Sequence, residues 1–168
     1  MPEHKCLHCG QTYQTMTGDY HYLESGLDNF WICGIEIYRC ECGESAAIPH
    51  LLEIHRTIAK CVIMQKIPLS GKEIRFLRKH MALKAIEFAK RLGVDNATVS
   101  RWENSREHPS DVADRVIRLS CAVHLGYYDE ARQLFDNIFP EISSENPSIP
   151  NFIAADQLGK FSCVQACQ

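Results

Sequence analysis

The 168-residue chain contains no apolar stretch long enough to cross a bilayer. Its longest runs, such as IAKCVIM, are short and broken by Lys60. Its N-terminus, MPEHKCLHCG, lacks a basic start followed by an apolar stretch, so no secretory leader is expected and the cytoplasm is the expected compartment. No internal repeat and no long low-complexity tract are found, which sets aside a repeat architecture. Net charge is scarce too, a formal -3, so the chain is not a uniformly basic protein of the kind that coats nucleic acid. Hydrophobic content of 45% and charged content of 23% are ordinary for a globular protein. The length allows one compact domain or two small ones.

Cysteine, by contrast, is abundant. Nine is an odd number, which argues against a fully paired disulfide framework, and a reducing compartment argues the same way. Cys6 and Cys9 in CLHCG, with Cys40 and Cys42 in CECG, form two tight pairs, each followed by a glycine. A thiolate pair on a tight turn grips one metal ion, and the backbone N–H groups of the turn donate to the sulfurs. Two such pairs make a closed four-thiolate site suited to one structural Zn²⁺ per chain, with no open position for a substrate water. The second pair has a single intervening residue, so His4, His8 or Cys33 is an alternative ligand. Unliganded thiols or a redox pair are the competing reading. Cys33, Cys61, Cys121, Cys163 and Cys167 are scattered and read as small buried hydrophobes or free thiols.

Charge is uneven. Between Leu69 and Arg106 nine Lys/Arg face four Asp/Glu, a local +5, while the remainder holds nine basic and seventeen acidic residues, -8. Positive charge is therefore concentrated where a polyanion would need it. Residues 1–48 read as a small β-rich zinc-binding module, with strand-like runs TYQTMT, DYHYLES, FWI and IEIYRC between glycines. So small a module buries little apolar surface and needs a staple such as a metal. Residues 49–68 read as a linking helix that begins with Pro49 in its first turn and carries Leu51, Leu52, His55, Ile58, Ala59, Val62 and Ile63 at helical spacing. Residues 69–139 read as five helices, with Ser70, Asp95 and Ser110 as N-caps and Glu73 completing a capping box. Val112, Val116, Leu119 and Val123 line one face of the fourth. Residues 140–168, with three prolines and several serines, read as an extended or mobile C-terminal tail. The expected fold class is α+β: a β-rich module, then an all-α helix-turn-helix domain.

The third of those helices lies in LGVDNATVSRWEN. At about 100° per residue, Val99 and Trp102 point to one side and Ala97, Ser100, Arg101 and Asn104 to the other. The first pair would pack on the preceding helices and leave the polar face open to a DNA groove. Arg101 suits a guanine, Ala97 a thymine methyl, Asn96 and Asn104 base edges or phosphates, and Thr98 a phosphate. A helical protein-interaction module with a merely solvated basic face is the competing reading.

The segment LRKHMALKAIEFAKRLGVDNATVSRWEN resembles the phage-repressor-like (Xre/Cro, lambda-repressor-like) helix-turn-helix family. That resemblance implies an ion pair between Arg78 and Glu103. It also implies an inward set of Leu77, Met81, Phe88, Ala89, Leu92, Val94, Val99 and Trp102. The sequence departs from the family at the start of the second helix, where Ala85 replaces a common Gln and Lys84 a common polar cap; Lys84 suits a phosphate. The order of modules, with CLHCG, YRCECGES and LSGKEIRFLRKH through SRWEN, resembles the MqsA-type antitoxin family and its YgiT-type zinc finger over roughly residues 1–120. The resemblance implies zinc at the N-terminus, dimerisation through the helical half, and repression of promoters; some relatives also neutralise a ribonuclease toxin.

The expected function is a sequence-specific transcription regulator, a repressor, with structural zinc. The alternative is a toxin-neutralising antitoxin that acts mainly on a toxin protein and binds DNA for autoregulation. A homodimer would present two reading helices to successive major grooves of a palindromic operator in double-stranded DNA, about 34 Å apart. Val116, Leu119, Leu134, Phe135 and Ile138 are candidate dimer residues, or else monomer core. Lys72, Arg75, Lys79, Lys84, Lys90 and Arg106 are candidate phosphate contacts. No catalytic residues are expected; a thiol–imidazole pair would need Cys61 beside His55 or His50, on one helix. Cys163 and Cys167 are spaced for one helical face.

Overall fold

A computed structural model describes residues 5–156 and 159–164; His4 and Cys167 lie outside them. The chain is α+β, with a five-stranded sheet and six α-helices among the described residues. β1 (Gln14–His21) runs antiparallel to β2 (Phe30–Cys40), which turns directly into β3 (Gly43–Ala47). The expected runs FWI and IEIYRC are thus one long strand, and LES within DYHYLES is a 3-10 turn.

The inward residues of β2 are Phe30 and Ile32, then Ile35 and Ile37. Strict alternation would have continued on even numbers. The phase changes because the ladder with β1 slips between Gly18 and Tyr20, a bulge that inserts residues 33–34 and returns the next isoleucines to the same side. Asp19 accepts a hydrogen bond there from the Gly34 amide, 3.3 Å.

The segment after Pro140 is not the extended tail its composition suggests. β4 (Asn151–Ala155) pairs parallel with Phe30–Ile32, and β5 (Phe161–Val164) pairs antiparallel with β4. β1 occupies one edge of β2; β4 and β3 share the other. The N-terminal strands are therefore completed by residues more than a hundred positions downstream. Ile153, fully buried, supplies the apolar contact that the local composition hid.

α1 (Leu51–Met64) lies against this sheet. It begins later than expected: His50 adopts a left-handed conformation (φ 49°) and Pro49 stays outside the helix. Its inward stripe is Ile54, Ile58, Ala59, Val62 and Ile63, all buried, whereas Leu51 and Leu52 are exposed. The five expected helices follow as α2 (Gly71–His80), α3 (Ala85–Leu92), α4 (Asn96–Glu103), α5 (Asp111–His124) and α6 (Tyr128–Gln133). The count is not clean, because α6 passes into a π-helical turn and then a 3-10 turn. Ser70 and Glu73 form the capping box, and Asp95 and Ser110 accept from Thr98 N and Ala113 N.

α5 faces the other way from the expected valine stripe. Its buried residues are Asp114, Ile117, Arg118, Cys121 and Ala122, while Val112, Val116 and Val123 are exposed. The cause is an arginine with no exposed surface. Arg118 pairs with Asp114 at 2.5 Å and donates to the carbonyls of Ile63 (2.9 Å), Gln65 (2.7 Å) and Ile67 (2.5 Å). Asp114 also accepts from Leu69 N, 2.6 Å. A charged hub thus ties the end of α1 to α5, with each polar atom it displaces from water given a partner.

Candidate nucleic-acid interface and metal centre

The turn between α3 and α4 and the start of α4 follow from local chemistry. Gly93 closes α3 in the left-handed region, and the Asp95 carboxylate accepts from both Thr98 N (2.7 Å) and Thr98 Oγ1 (2.9 Å). Those bonds hold the Asp95 carboxyl below its usual range. At the start of α3, Glu87 reaches back to the Lys84 amide, 2.8 Å, which is the half of a capping box that lysine permits. Lys84 itself is exposed and Ala85 half-buried.

Val99 and Trp102 are buried, as their spacing predicted. So are Leu77, Met81, Phe88 and Ala89, with Leu92 and Val94 packed at the edge of the same core. The pair implied by the resemblance is present. Arg78 donates to Glu103 at 2.5 and 3.0 Å, and Arg75 adds a third bond at 3.2 Å. Glu103 is nearly buried, so these cations fix the end of α4 against α2.

A second device was missed in the sequence. A β-carbon on Gly71 would stand 2.3 Å from the Trp102 carbonyl oxygen and 3.0 Å from that of Glu103. Only glycine permits α2 to start so close to the C-terminal end of α4.

Opposite the tryptophan, Asn96, Ala97, Ser100 and Asn104 are exposed, and Thr98 and Arg101 half-exposed. Arg101 is not idle. Its Nη2 donates to Thr98 Oγ1, 2.8 Å, and its Nε lies 2.9 Å from Glu107 Oε2, near enough for an ion pair though not aligned as a hydrogen bond. Asn104 donates to Ser100 O, 2.7 Å, and accepts from Arg75, 3.0 Å. Reading a base with either residue would require exchange of these partners. Lys79, Lys84, Lys90 and Arg106 are exposed cations; Lys72 is paired with Asp28.

The four paired cysteines come together beside the turn between β2 and β3. Cys6–Cys9 sits on a turn in which Gly10 N donates to Cys6 O, 2.8 Å, and Gly10 takes the left-handed backbone (φ 74°) that closes it. Cys40 and Cys42 flank Glu41 in the tight turn between β2 and β3, where Cys40 pairs with Gly43. That hairpin explains how one intervening residue suffices. The sulfurs are separated by 3.6 Å (Cys6–Cys42), 3.8 Å (Cys9–Cys40) and 3.0 Å (Cys40–Cys42), and all four lie within 4.8 Å of one another. A tetrahedral zinc with sulfurs at about 2.3 Å needs edges of roughly 3.8 Å. The 3.6 and 3.8 Å pairs match that edge, the 3.0 Å Cys40–Cys42 pair would spread on binding, and the set could hold a metal ion.

Backbone amides of Cys9 and His8 bring the Cys6 thiol down to about 6, the electrostatics of a metal knuckle; hydrogen bonds from Cys40 and Cys42 act in the same direction. Cys42 is pushed the other way by the crowded sulfurs of Cys40, Cys9 and Cys6. A bound cation would relieve that crowding.

Among the described residues, the alternative ligands His8 and Cys33 do not join the cluster. His8 stands beside the cluster without entering it, and Cys33, in β2, is disulfide-bonded, against its reading as a free thiol. Neither imidazole proposed for Cys61 is its partner. His55 bonds the Tyr22 hydroxyl, 2.8 Å, and packs on Phe76, while the hydrogen-bond partner of Cys61 is Cys163.

Of the dimer candidates, Leu134 and Ile138 are buried within the chain and Leu119 is partly covered; Val116 and Phe135 are exposed. No described helix is long and apolar enough to cross a membrane.

No curated protein and no solved structure matches the chain. A profile of the helix-turn-helix family HTH_3 matches residues 74–113, the span from within α2 to the start of α5. Residues 74–113 are therefore an Xre/Cro-like helix-turn-helix domain, the fold of DNA-binding transcription regulators, carried beside a four-cysteine cluster able to hold a metal ion.

Proposed function

We propose that this chain is a sequence-specific repressor that binds a palindromic operator as a homodimer and carries one structural zinc. The observation behind the reading is the orientation of α4. Val99 and Trp102 anchor one side and Glu103 is clamped by two arginines, while Asn96, Ala97, Ser100 and Asn104 stay exposed on the other. Arg101 reads a guanine after it leaves Glu107, and Thr98, Lys84 and neighbouring cations meet phosphates. The exposed valines of α5, with Phe135, support self-association, since apolar side chains left outside one chain's core suit a second copy. Zinc, held by Cys6, Cys9, Cys40 and Cys42, staples the start of the sheet and supplies no chemistry. Catalysis forms no part of the proposal.

The finer likeness to MqsA-type antitoxins rests on the cysteine spacing and the order of modules. A fully exposed Leu7 beside the cysteine cluster favours a protein partner on that face as a second role. Co-purification with a ribonuclease-like protein encoded beside this chain would test it.

The primary test is selection of bound duplexes from a random pool, followed by footprinting on the gene's own promoter. Arg101→Ala should cost about 1–3 kcal/mol at one base position and relax the preference there, with non-specific affinity kept. Unchanged specificity would remove Arg101 from the reading role.

A further inference from the structure

Two thiols outside the cysteine cluster meet where α1 packs against the C-terminal strands. Cys61, in α1, is half-buried; Cys163, in β5, is exposed. Both line a cavity of about 510 Å³ that also reaches Asn29, Met64, Asn146 and Asn151. The Cys163 thiol donates to Asn151 Oδ1, 3.6 Å, and its sulfur is hydrogen-bonded to the Cys61 thiol.

The two sulfurs share the cavity but differ in their surroundings. Cys61 is held protonated, its thiol pushed well up first by that bond and then by burial. The Cys163 thiol is moved down by the same bond, against its own desolvation. The thiolate is the nucleophilic form of cysteine, and oxidation-sensitive sites combine an accessible, acidified thiol with a second thiol in reach. Cys121 shows the contrast: buried in the helical core, its thiol is pushed up to about 12 by desolvation alone.

We propose that Cys61 and Cys163 are an oxidisable dithiol, a site at which a hydroperoxide drives closure of a disulfide between α1 and β5. The Cys163 thiolate attacks the peroxide; an S–O bond forms, the O–O bond breaks, and the leaving oxygen departs as water or alcohol after protonation. Cys61 sulfur then attacks the sulfenic sulfur, the S–S bond forms, the S–O bond breaks, and water leaves with the Cys61 proton. Two thiols are oxidised by two electrons and one peroxide is reduced by two. The product staples the sheet edge to the helix that leads into the DNA-binding half.

The test uses the full chain with its metal bound, reduced, then treated with one equivalent of hydrogen peroxide with and without a sulfenic-acid trap such as dimedone. Peptides are mapped by mass spectrometry. Expected are a Cys61–Cys163 linked peptide reversed by dithiothreitol and, in Cys61→Ser, trapped sulfenic acid at Cys163. Peroxide that oxidises the metal-site cysteines while Cys61 and Cys163 remain open to alkylation would overturn the proposal, as would a Cys163 linkage to any other cysteine. If the serine variant does not fold, the peptide map of the wild-type chain decides alone.

Discussion

Replacement of Arg118 by methionine tests the charged hub beneath α5. Methionine fills much of the same volume without a donor. Asp114 would be left as a buried carboxylate, and the carbonyls of Ile63, Gln65 and Ile67 would lose the guanidinium that gathers them. Removing one member of a buried pair typically costs about 3–5 kcal/mol. The three carbonyls argue for the upper part of that range, since each unsatisfied buried group adds about 1–3 kcal/mol before relaxation or water entry. In a chain of this size each kcal/mol lowers Tm by about 2–4 °C, so a fall of roughly 6–20 °C is expected. Urea unfolding should give a lower midpoint at unchanged slope. The double variant Asp114→Asn, Arg118→Met removes the stranded charge, keeps an oxygen for Leu69 N, and should recover part of the loss. A single variant within about 1 kcal/mol of wild type would refute the reasoning.

Gly71→Ala should destabilise by about 1–3 kcal/mol and weaken operator binding, because the new methyl must push α2 away from the Trp102 carbonyl; an unchanged Tm would show that the helices have room. His55 and His80 are both held below the ordinary imidazole range by burial, and His80 further by the charges of His55, Arg56 and His124. The unfolded chain therefore takes up protons near pH 6.5 that the folded chain accepts only lower, so stability falls as pH drops below about 6.5. Thermal unfolding at pH 7.5 and 5.5 should show it, and the gap should shrink in His55→Gln, His80→Gln. Metal analysis should return about one zinc per chain; a chelator or Cys9→Ser should loosen residues 5–47 in hydrogen exchange while α2–α5 keep their protection, and equal protection throughout would end the zinc assignment.

What the sequence made legible was what local chemistry controls. The caps at Ser70, Asp95 and Ser110, the inward Val99 and Trp102, and the grouping of the four cysteines all follow from spacing, and the structure contains each. What it hid depends on distant partners. The composition around Asn151 is that of a tail, and nothing local indicates that β2 offers an edge for it. Val112, Val116 and Val123 are apolar at helical spacing, yet Arg118 takes the inward face because it alone can satisfy the carbonyls at the end of α1. Gly71 left a trace, a glycine at the first position of a helix, but no sequence pattern names the carbonyl it clears.

The parallel pairing of Phe30–Ile32 with Asn151–Ile153 has a consequence during synthesis. Ribosomes would release the helix-turn-helix long before the strand that shields the neighbouring edge of β2, and local helical contacts form quickly while so distant a pairing forms slowly. A nascent chain thus passes through an interval in which its reading head is assembled but a row of backbone donors and acceptors stands open to other strands. Stop codons or fusion junctions placed upstream of residue 151 would make that interval permanent, turning a passing hazard into a standing invitation to aggregate.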